Sequence, residues 1–263
     1  MIKLIITDLD GTLLNDEKQV PHEFWELRNT LHDIGIQWVL ASGRQYYTIA
    51  QQFSEILNDV YILAENGALV MLGTQQIHIN PLEAELTARL IDQGRKTPES
   101  WPILCCRNGA YVEDNYQPLL DEAKKYYKRL ELVDDLQKVE DIPLKFTMCD
   151  FKGSEEHSYK YFKDFEDKCR VAVAGEIWLD MTGLTASKGT ALKKIMEHCN
   201  VKAEEVMAFG DYLNDREMIE VAHHSYAMKN SHPDLFDSAR NVTAHDNNND
   251  GVIHEVKEFF NLT

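Results

Sequence analysis

Two aspartates stand two residues apart where an apolar run ends, in Lys3-Leu4-Ile5-Ile6-Thr7-Asp8-Leu9-Asp10-Gly11-Thr12. On a strand, residues i and i+2 point to the same side. A strand over residues 3–7 therefore brings Asp8 and Asp10 close together past its carboxyl end. Two like charges there repel unless a cation or a shared proton offsets them. Gly11 allows a tight turn that a Cβ would obstruct, and Thr12 adds a hydroxyl. The same residue types also make an ordinary turn, so the chemical reading rests on whether matching groups recur at other strand ends. Ser42-Gly43 follows a predicted strand over 37–41, Lys188 opens a helical stretch, and Asp211, Asn214 and Asp215 follow a predicted strand over 205–209. A nucleophilic carboxylate, a second carboxylate, a hydroxyl, a lysine and further acids on one sheet edge match Mg²⁺-assisted phosphoryl transfer. Mg²⁺ takes oxygen ligands and keeps several waters, so few carboxylates suffice. It offsets the repulsion between nucleophile and phosphate oxygen, and an aspartate can attack through a covalent aspartyl-phosphate.

Each residue taken singly has a plainer reading. Ser42 could be a helix N-cap, and Asn214 and Asp215 could cap the helix that follows them. Lys188 could be one of many solvated lysines. Arg44 reads as a surface or structural residue at a helix start and stays outside the catalytic set.

The elements that must position these groups alternate at first. A helix over about 21–34, stopped by Gly35, leads to strand 37–41, a helix to about 57 and strand 60–64. This β-α-β-α-β order predicts a parallel sheet with helices on both faces and right-handed crossovers. The rhythm then changes to hairpins: 68–72 with 76–79, 101–107 with 110–113 around Asn108-Gly109, and 170–174 with 177–181. Between them lie predicted helices over 82–96, 118–128 and 155–165, a mixed stretch, and a strand over 144–150. Tight hairpins imply antiparallel pairing and hence an α+β insert. From Ser187 the parallel pattern resumes: helix 189–199, strand 205–209, a helix to 223, strand 225–228, helix 233–239, strand 242–244 and helix 252–260. The expected organisation is an α/β core of residues 1–81 and 184–263, split by an α+β domain over 82–183.

The bulk composition narrows the function classes. The chain has 263 residues, 44% of them apolar, and 27 Lys and Arg against 44 Asp and Glu give a net charge of −17. Such a chain is a poor candidate for wrapping nucleic acid or docking on an anionic membrane. Any bound phosphate must be held by a local cluster of cations and amides. Five cysteines, an odd number with no C-x-x-C, argue against a disulfide framework or zinc site and fit the reducing cytoplasm. The first apolar run meets Asp8 too early for a secretion signal, and no run approaches the length of a membrane span. Asp246–Asp250 lacks the terminal glutamate of a calcium loop and reads as a turn.

The motifs D-L-D-G-T-L-L at the start, A-S-G-R at 41–44, E-N-G-A at 65–68, S-K-G-T-A-L at 187–192, G-D-Y-L-N-D at 210–215 and A-M-K-N at 227–230 occur in order over nearly the whole chain. In this the chain resembles the haloacid dehalogenase-like superfamily of phosphohydrolases, in particular its Cof-type, sugar-phosphatase-like branch. The resemblance implies a Rossmann-like core with the inserted domain as a cap. It implies that Asp8 takes the phosphoryl group and also binds Mg²⁺. Asp10 then serves as acid and base, with its backbone carbonyl on the metal. Ser42 and the Gly43 amide hold a phosphoryl oxygen, Lys188 neutralises charge, Asp211 ligates Mg²⁺, Asp215 partners metal-bound water, and Asn214 contacts the phosphoryl group or its neighbours. Positions 229 and 231 are Lys and Ser where relatives often have Gly and Ala, which puts leaving-group preference in question.

The expected activity is Mg²⁺-dependent hydrolysis of small phosphorylated metabolites, sugar phosphates foremost, since Asp10 supplies the acid that an alkoxide leaving group needs. One competing reading is a hexose-phosphate mutase of the phosphomannomutase kind. That enzyme would need a second cationic phosphate site on the cap. The other is a non-enzymatic metabolite-binding protein, which would have no reason to keep the full catalytic set. Arg107, Glu113, Trp178 and Asp180 are candidates for substrate choice on the cap. The sequence leaves monomer and dimer open.

Overall fold

A computed structural model describes residues 1–262; Thr263, the last residue of the expected core range, lies outside them. In chain order the elements are β1 (Leu4–Asp8), α1 (His22–Asp33), β2 (Gln37–Ala41), α2 (Tyr46–Gln52), β3 (Val60–Ala64), β4 (Leu69–Leu72) and β5 (Gln75–Ile79). There follow α3 (Ala84–Lys96), β6 (Trp101–Cys106), β7 (Ala110–Val112), α4 (Gln117–Tyr126), β8 (Leu130–Leu132), β9 (Pro143–Cys149), α5 (Tyr159–Phe162), β10 (Cys169–Gly175) and β11 (Trp178–Gly183). The last are α6 (Lys188–Cys199), β12 (Val206–Gly210), α7 (Arg216–Val221), β13 (His224–Ala227), β14 (Asn241–Val242) and α8 (Gly251–Phe260). Among the described residues no helix is long and apolar enough to cross a membrane.

The chain divides into two compact units. The first comprises Met1–Gly43, Phe53–His78 and the chain from Ser187 on; the second comprises Arg44–Gln52 and Ile79–Ala186. The first is built on a sheet of order β14-β13-β12-β1-β2-β3-β4-β5. From β14 to β3 its strands are parallel, and β4 turns back antiparallel to β3. A parallel strand covered on both faces reads as a nearly continuous apolar run; β1 is Leu4-Ile5-Ile6 before Thr7 and Asp8, and all five residues are buried. One face packs Leu4, Ile6, Val39, Leu63 and Ala208 against Leu192 and Ile195 of α6 and Met218 and Ile219 of α7. Each Leu, Ile, Val or Met side chain so removed from water contributes roughly 1.5–3 kcal/mol. Chain direction diverges at β1, with β2 and β3 on one side and β12 and β13 on the other. The crevice outside the carboxyl ends at such a switch point is where open α/β sheets bind ligands.

The second unit has a sheet of order β10-β11-β9-β6-β7-β8, antiparallel except for the parallel pair β7 and β8. Alternation along β9 gives it two faces. Leu144, Phe146 and Met148 lie on the inner face of α3, where Phe146 and Met148 pack with Leu86, Leu90 and Ile91. Cys149 lies on the other face with Ile103, Cys105 and Trp178, beside Leu119 and Ala123 of α4. Where the inserted stretch enters and leaves, the Asn80 amide donates to Thr185 Oγ1 at 3.0 Å.

Several expected elements come out shorter. The helix expected over 155–165 is only Tyr159–Phe162 followed by a 3₁₀ turn, Lys163–Phe165. The cause is the fully buried Asp150, whose carboxylate accepts the amides of Lys152 and Ser158 and meets His157 Nδ1, which winds 152–158 into turns. The helix expected to run to about 57 ends at Gln52, and Ser54–Ile56 is a 3₁₀ turn. The stretch at 233–239 is likewise 3₁₀, over Pro233–Ser238. The mixed stretch hides β8, whose three residues are too few to leave a period in the sequence.

Candidate active site

Asp8 ends β1, Ser42 follows β2 and Asp211 follows β12. Parallel pairing sets Asp8 level with Ala41 and Thr7 level with Phe209, so the three residues share one carboxyl edge. Lys188 reaches it from the first turn of α6. That helix is capped by Ser187, whose Oγ accepts the Thr190 amide at 3.0 Å and donates to Glu217. The α6 start also carries a close crossing, because a Cβ on Gly67 (φ +98°) would lie 2.2 Å from the Ser187 carbonyl oxygen.

Lys188 is 1% exposed, which rules out a solvated lysine. Its ammonium donates to Asp8 Oδ1 and, at 2.5 Å, to Asp215 Oδ1. The other oxygen of Asp215 accepts the amides of Asp211 (3.0 Å) and Tyr212 (3.1 Å). Asp215 thus does cap the turn it ends, and the same carboxylate holds the lysine. Ser42 stands four residues before the first residue of α2 and so is not that helix's N-cap. Thr12 Oγ1 donates to Asp211 Oδ1 at 2.8 Å.

Asp8, Asp211 and Asp215 each bring a carboxylate oxygen within 4.8 Å of the others. One ammonium does not balance three carboxylates, and burial makes the imbalance costly. Burial raises the Asp8 carboxyl well above its ordinary range, with Asp215 and Asp211 adding to the rise and Lys188 opposing it. Burial, then Asp215, lifts Asp211 to about 6. Burial works against the charge on Lys188, but Asp215 and Asp8 more than offset it, and its pKa rises. A surplus of buried negative charge presented by oxygen donors alone fits a hard divalent cation and does not fit a thiophilic metal.

Asp10 is placed differently. Its Oδ1 pairs with Lys18 Nζ at 2.9 Å, a partner that sequence reasoning did not find because it lies in the polar loop after β1. Asn214 Nδ2 donates to Asn66 Oδ1 at 3.0 Å, and Asn66 also lies under Gly43, 3.0 Å from where a Cβ there would be. Asn66 was legible only as part of the E-N-G-A motif. It sits at φ 54°, a conformation asparagine tolerates better than most residues. The loop carrying Lys229 and Ser231 does reach this edge: Asn230 Nδ2 donates to the Gly11 carbonyl at 2.8 Å and Ser231 Oγ to that of Gly210 at 3.3 Å. Of the four residues considered for substrate choice, Glu113 is engaged by Arg95 (3.1 Å) and the Leu136 amide, while Arg107 Nη1 donates to Asn108. Asp180 pairs with Lys145 (3.3 Å) and accepts from Thr147, and Trp178 packs edge-on to Tyr126.

Gly11 adopts φ +80°, and a Cβ there would lie 2.5 Å from Asp211 Oδ2. Gly11→Ala therefore costs about 1–2 kcal/mol from the backbone conformation alone and displaces the Asp211 carboxylate. Chemical denaturation should read the first effect. Weakened divalent-cation binding by calorimetry should read the second, and unchanged affinity would show that Asp211 is not held through this contact.

A family model for haloacid dehalogenase-like hydrolases matches residues 5–256. The 5-amino-6-(5-phospho-D-ribitylamino)uracil phosphatase YbjI of Escherichia coli is 32% identical over 97% of this chain and 95% of its own length. The phosphatase YwpJ of Bacillus subtilis is 26% identical over 97% of this chain and 99% of its own. In fold, a haloacid dehalogenase-like hydrolase from Bacteroides thetaiotaomicron superposes with a TM-score of 0.88 at 24% identity, over 99% of this chain and 100% of that one. With its motif residues on one sheet edge and a match along almost its full length, the chain belongs to the haloacid dehalogenase-like hydrolases, as an enzyme of their phosphatase class.

Proposed function

We propose that this phosphatase hydrolyses small phosphorylated metabolites, sugar phosphates among them, with Mg²⁺ and through an aspartyl-phosphate on Asp8. The observation that carries the reading is the Lys188 ammonium held between Asp8 and Asp215, with Asp211 completing a trio of carboxylates beside Ser42. Asp8, Asp211, the Asp10 carbonyl and, through water, Asp215 would hold the metal. When bound, Mg²⁺ supplies positive charge that favours ionised Asp8 and offsets the phosphoryl oxygens.

The chain's own groups do the rest. Asp8 attacks phosphorus, forming its P–O bond as the bond to the leaving oxygen breaks. Asp10 delivers a proton to that oxygen, then takes one from the water that attacks the aspartyl-phosphate, as microscopic reversibility requires. Lys18, now on Asp10, must yield the carboxylate for the first step. Ser42 and the Gly43 amide hold a phosphoryl oxygen, with Asn214 beside them through Asn66. Lys188 neutralises charge in the transition state. The inserted 82–183 domain acts as the cap, and Asp180 and Trp178 remain its candidates for leaving-group contact. The five free cysteines suit the cytoplasm.

The test is inorganic phosphate release from a panel of phosphorylated sugars, sugar alcohols and nucleotides. The panel includes a phosphorylated ribitylaminouracil, because the Escherichia coli relative is named for one. Release should occur with Mg²⁺, fall at least about 100-fold with a chelator and return when Mg²⁺ is restored. Interconversion of hexose phosphates without phosphate release would establish the mutase instead. Saturable binding with no turnover across the panel would establish a metabolite-binding protein.

A further inference from the structure

The segment directly behind the Ser42-Gly43 turn belongs to the other unit. Ser42 and Gly43 fall in the first unit, and Arg44–Gln52 falls in the second. The backbone is tied on both sides of that junction. Before it, the Ser42 amide donates to the Leu63 carbonyl at 2.9 Å, and the Ser42 carbonyl accepts the Asn66 amide at 3.1 Å.

After it, the tie is the side chain of Gln45, which is 3% exposed. Its Nε2 donates to the Arg129 carbonyl at 3.0 Å, and its Oε1 accepts the Arg129 amide at 3.1 Å. A side-chain amide that bonds both backbone groups of one residue imitates an added strand. Arg129 immediately precedes β8, the edge strand of its sheet, and its carbonyl already accepts the Ala110 amide at 2.8 Å. Gln45 therefore pairs with the backbone at the start of that edge strand, on a carbonyl it shares with the Ala110 amide.

Two neighbours reinforce it. Thr48 Oγ1 donates at 2.7 Å to the carbonyl of Tyr126, one of the last-turn carbonyls of α4 that have no helical partner. The Arg129 guanidinium lies 3.6 Å from the centroid of the Tyr47 ring. Glutamine is seldom fully buried. Here both the nitrogen and the oxygen of its amide are paired with the backbone of one residue.

We propose that Gln45, with Thr48 and Tyr47, is a positioning residue for the Ser42-Gly43 turn. Only Arg44 separates Gly43 from Gln45, and consecutive Cα atoms are about 3.8 Å apart, so little slack exists to absorb a shift. The grip of the second unit on 45–48 is passed along the chain to the Ser42 hydroxyl and the Gly43 amide. The proposal rests on the reading of that turn as the holder of a phosphoryl oxygen. Donors aimed at charge that develops in the transition state act on turnover more than on substrate binding.

The experiment compares wild type, Gln45→Met, Thr48→Val and Asp8→Asn on p-nitrophenyl phosphate with Mg²⁺, with melting temperatures alongside. Methionine keeps the length of Gln45 and removes both bonds. Gln45→Met should lower kcat about 10- to 30-fold while KM moves less than about threefold. Thr48→Val, at an exposed bond, should lower kcat about two- to fivefold in the same sense. A lower melting temperature with unchanged kcat would mean a purely structural tie and overturn the proposal. If Gln45→Met does not fold, an unchanged kcat in Thr48→Val overturns it equally. Wild-type turnover that Asp8→Asn abolishes leaves the hydrolase reading standing whatever the Gln45 result. Absence of wild-type turnover overturns both.

Discussion

Asp8→Asn should yield a folded protein that releases phosphate on the order of 10⁴-fold more slowly than wild type, because the amide cannot attack phosphorus. The substitution keeps shape at a site only 6% exposed. It also removes a carboxyl that burial and its acidic neighbours push well above its ordinary range. Lys188 retains Asp215 as partner at 2.5 Å. The melting temperature without divalent cation should therefore be unchanged or higher, whereas loss of Asp8 as a ligand should weaken Mg²⁺ binding. Single-turnover phosphate release separates attack from later steps. Turnover persisting within tenfold of wild type would remove Asp8 from the role of nucleophile.

Lys188→Met should be damaging in a different way. It takes the one ammonium from between Asp8 and Asp215 and leaves both carboxyls buried without it. Removing one member of a buried ion pair costs about 3–5 kcal/mol, and the lost neutralisation lowers kcat by about 10²–10³. The pH dependence has a definite sign. A carboxyl whose folded pKa is raised contributes stability that is full below the unfolded value and is lost as pH rises through the folded one. For Asp211 in the wild type that window closes near 6. Without Lys188, Asp8 loses the group that opposes its rise, so in chelator the loss of stability should extend to higher pH. Denaturant midpoints between about pH 4 and 8 measure it. A variant as stable as wild type across that range would mean that Lys188 is not the group that balances Asp8 and Asp215.

How much of this could be read from the chain depends on the range of the interaction. Asp8, Ser42 and Asp211 could be placed because each follows an apolar run, and parallel strands bring such ends to one edge. Lys188 lies behind no strand of the parallel set, so only its place at a helix start and its motif pointed to it. Lys18 on Asp10, Asn66 between Gly43 and Asn214, and Gln45 on Arg129 were out of reach. Each depends on where two distant backbones pass, and no local period encodes that. The helix expected over 155–165 failed for a related reason, since its residues favour a helix locally and one buried carboxylate at Asp150 overrules them. The grouping of 44–52 with the second unit was equally invisible, because α2 continues the alternating pattern of the first without a break.

The single hydrogen bond from Asn80 to Thr185 has a thermodynamic consequence for the first unit. Bringing the ends of a flexible chain together costs entropy that grows with its length. Here the intervening residues fold on a sheet and core of their own, and their two ends emerge side by side. Once that domain has formed, the rest of the chain closes a gap no wider than a tight turn. An insertion of this kind can change size and surface with almost no effect on the connectivity cost of the sheet that carries Asp8.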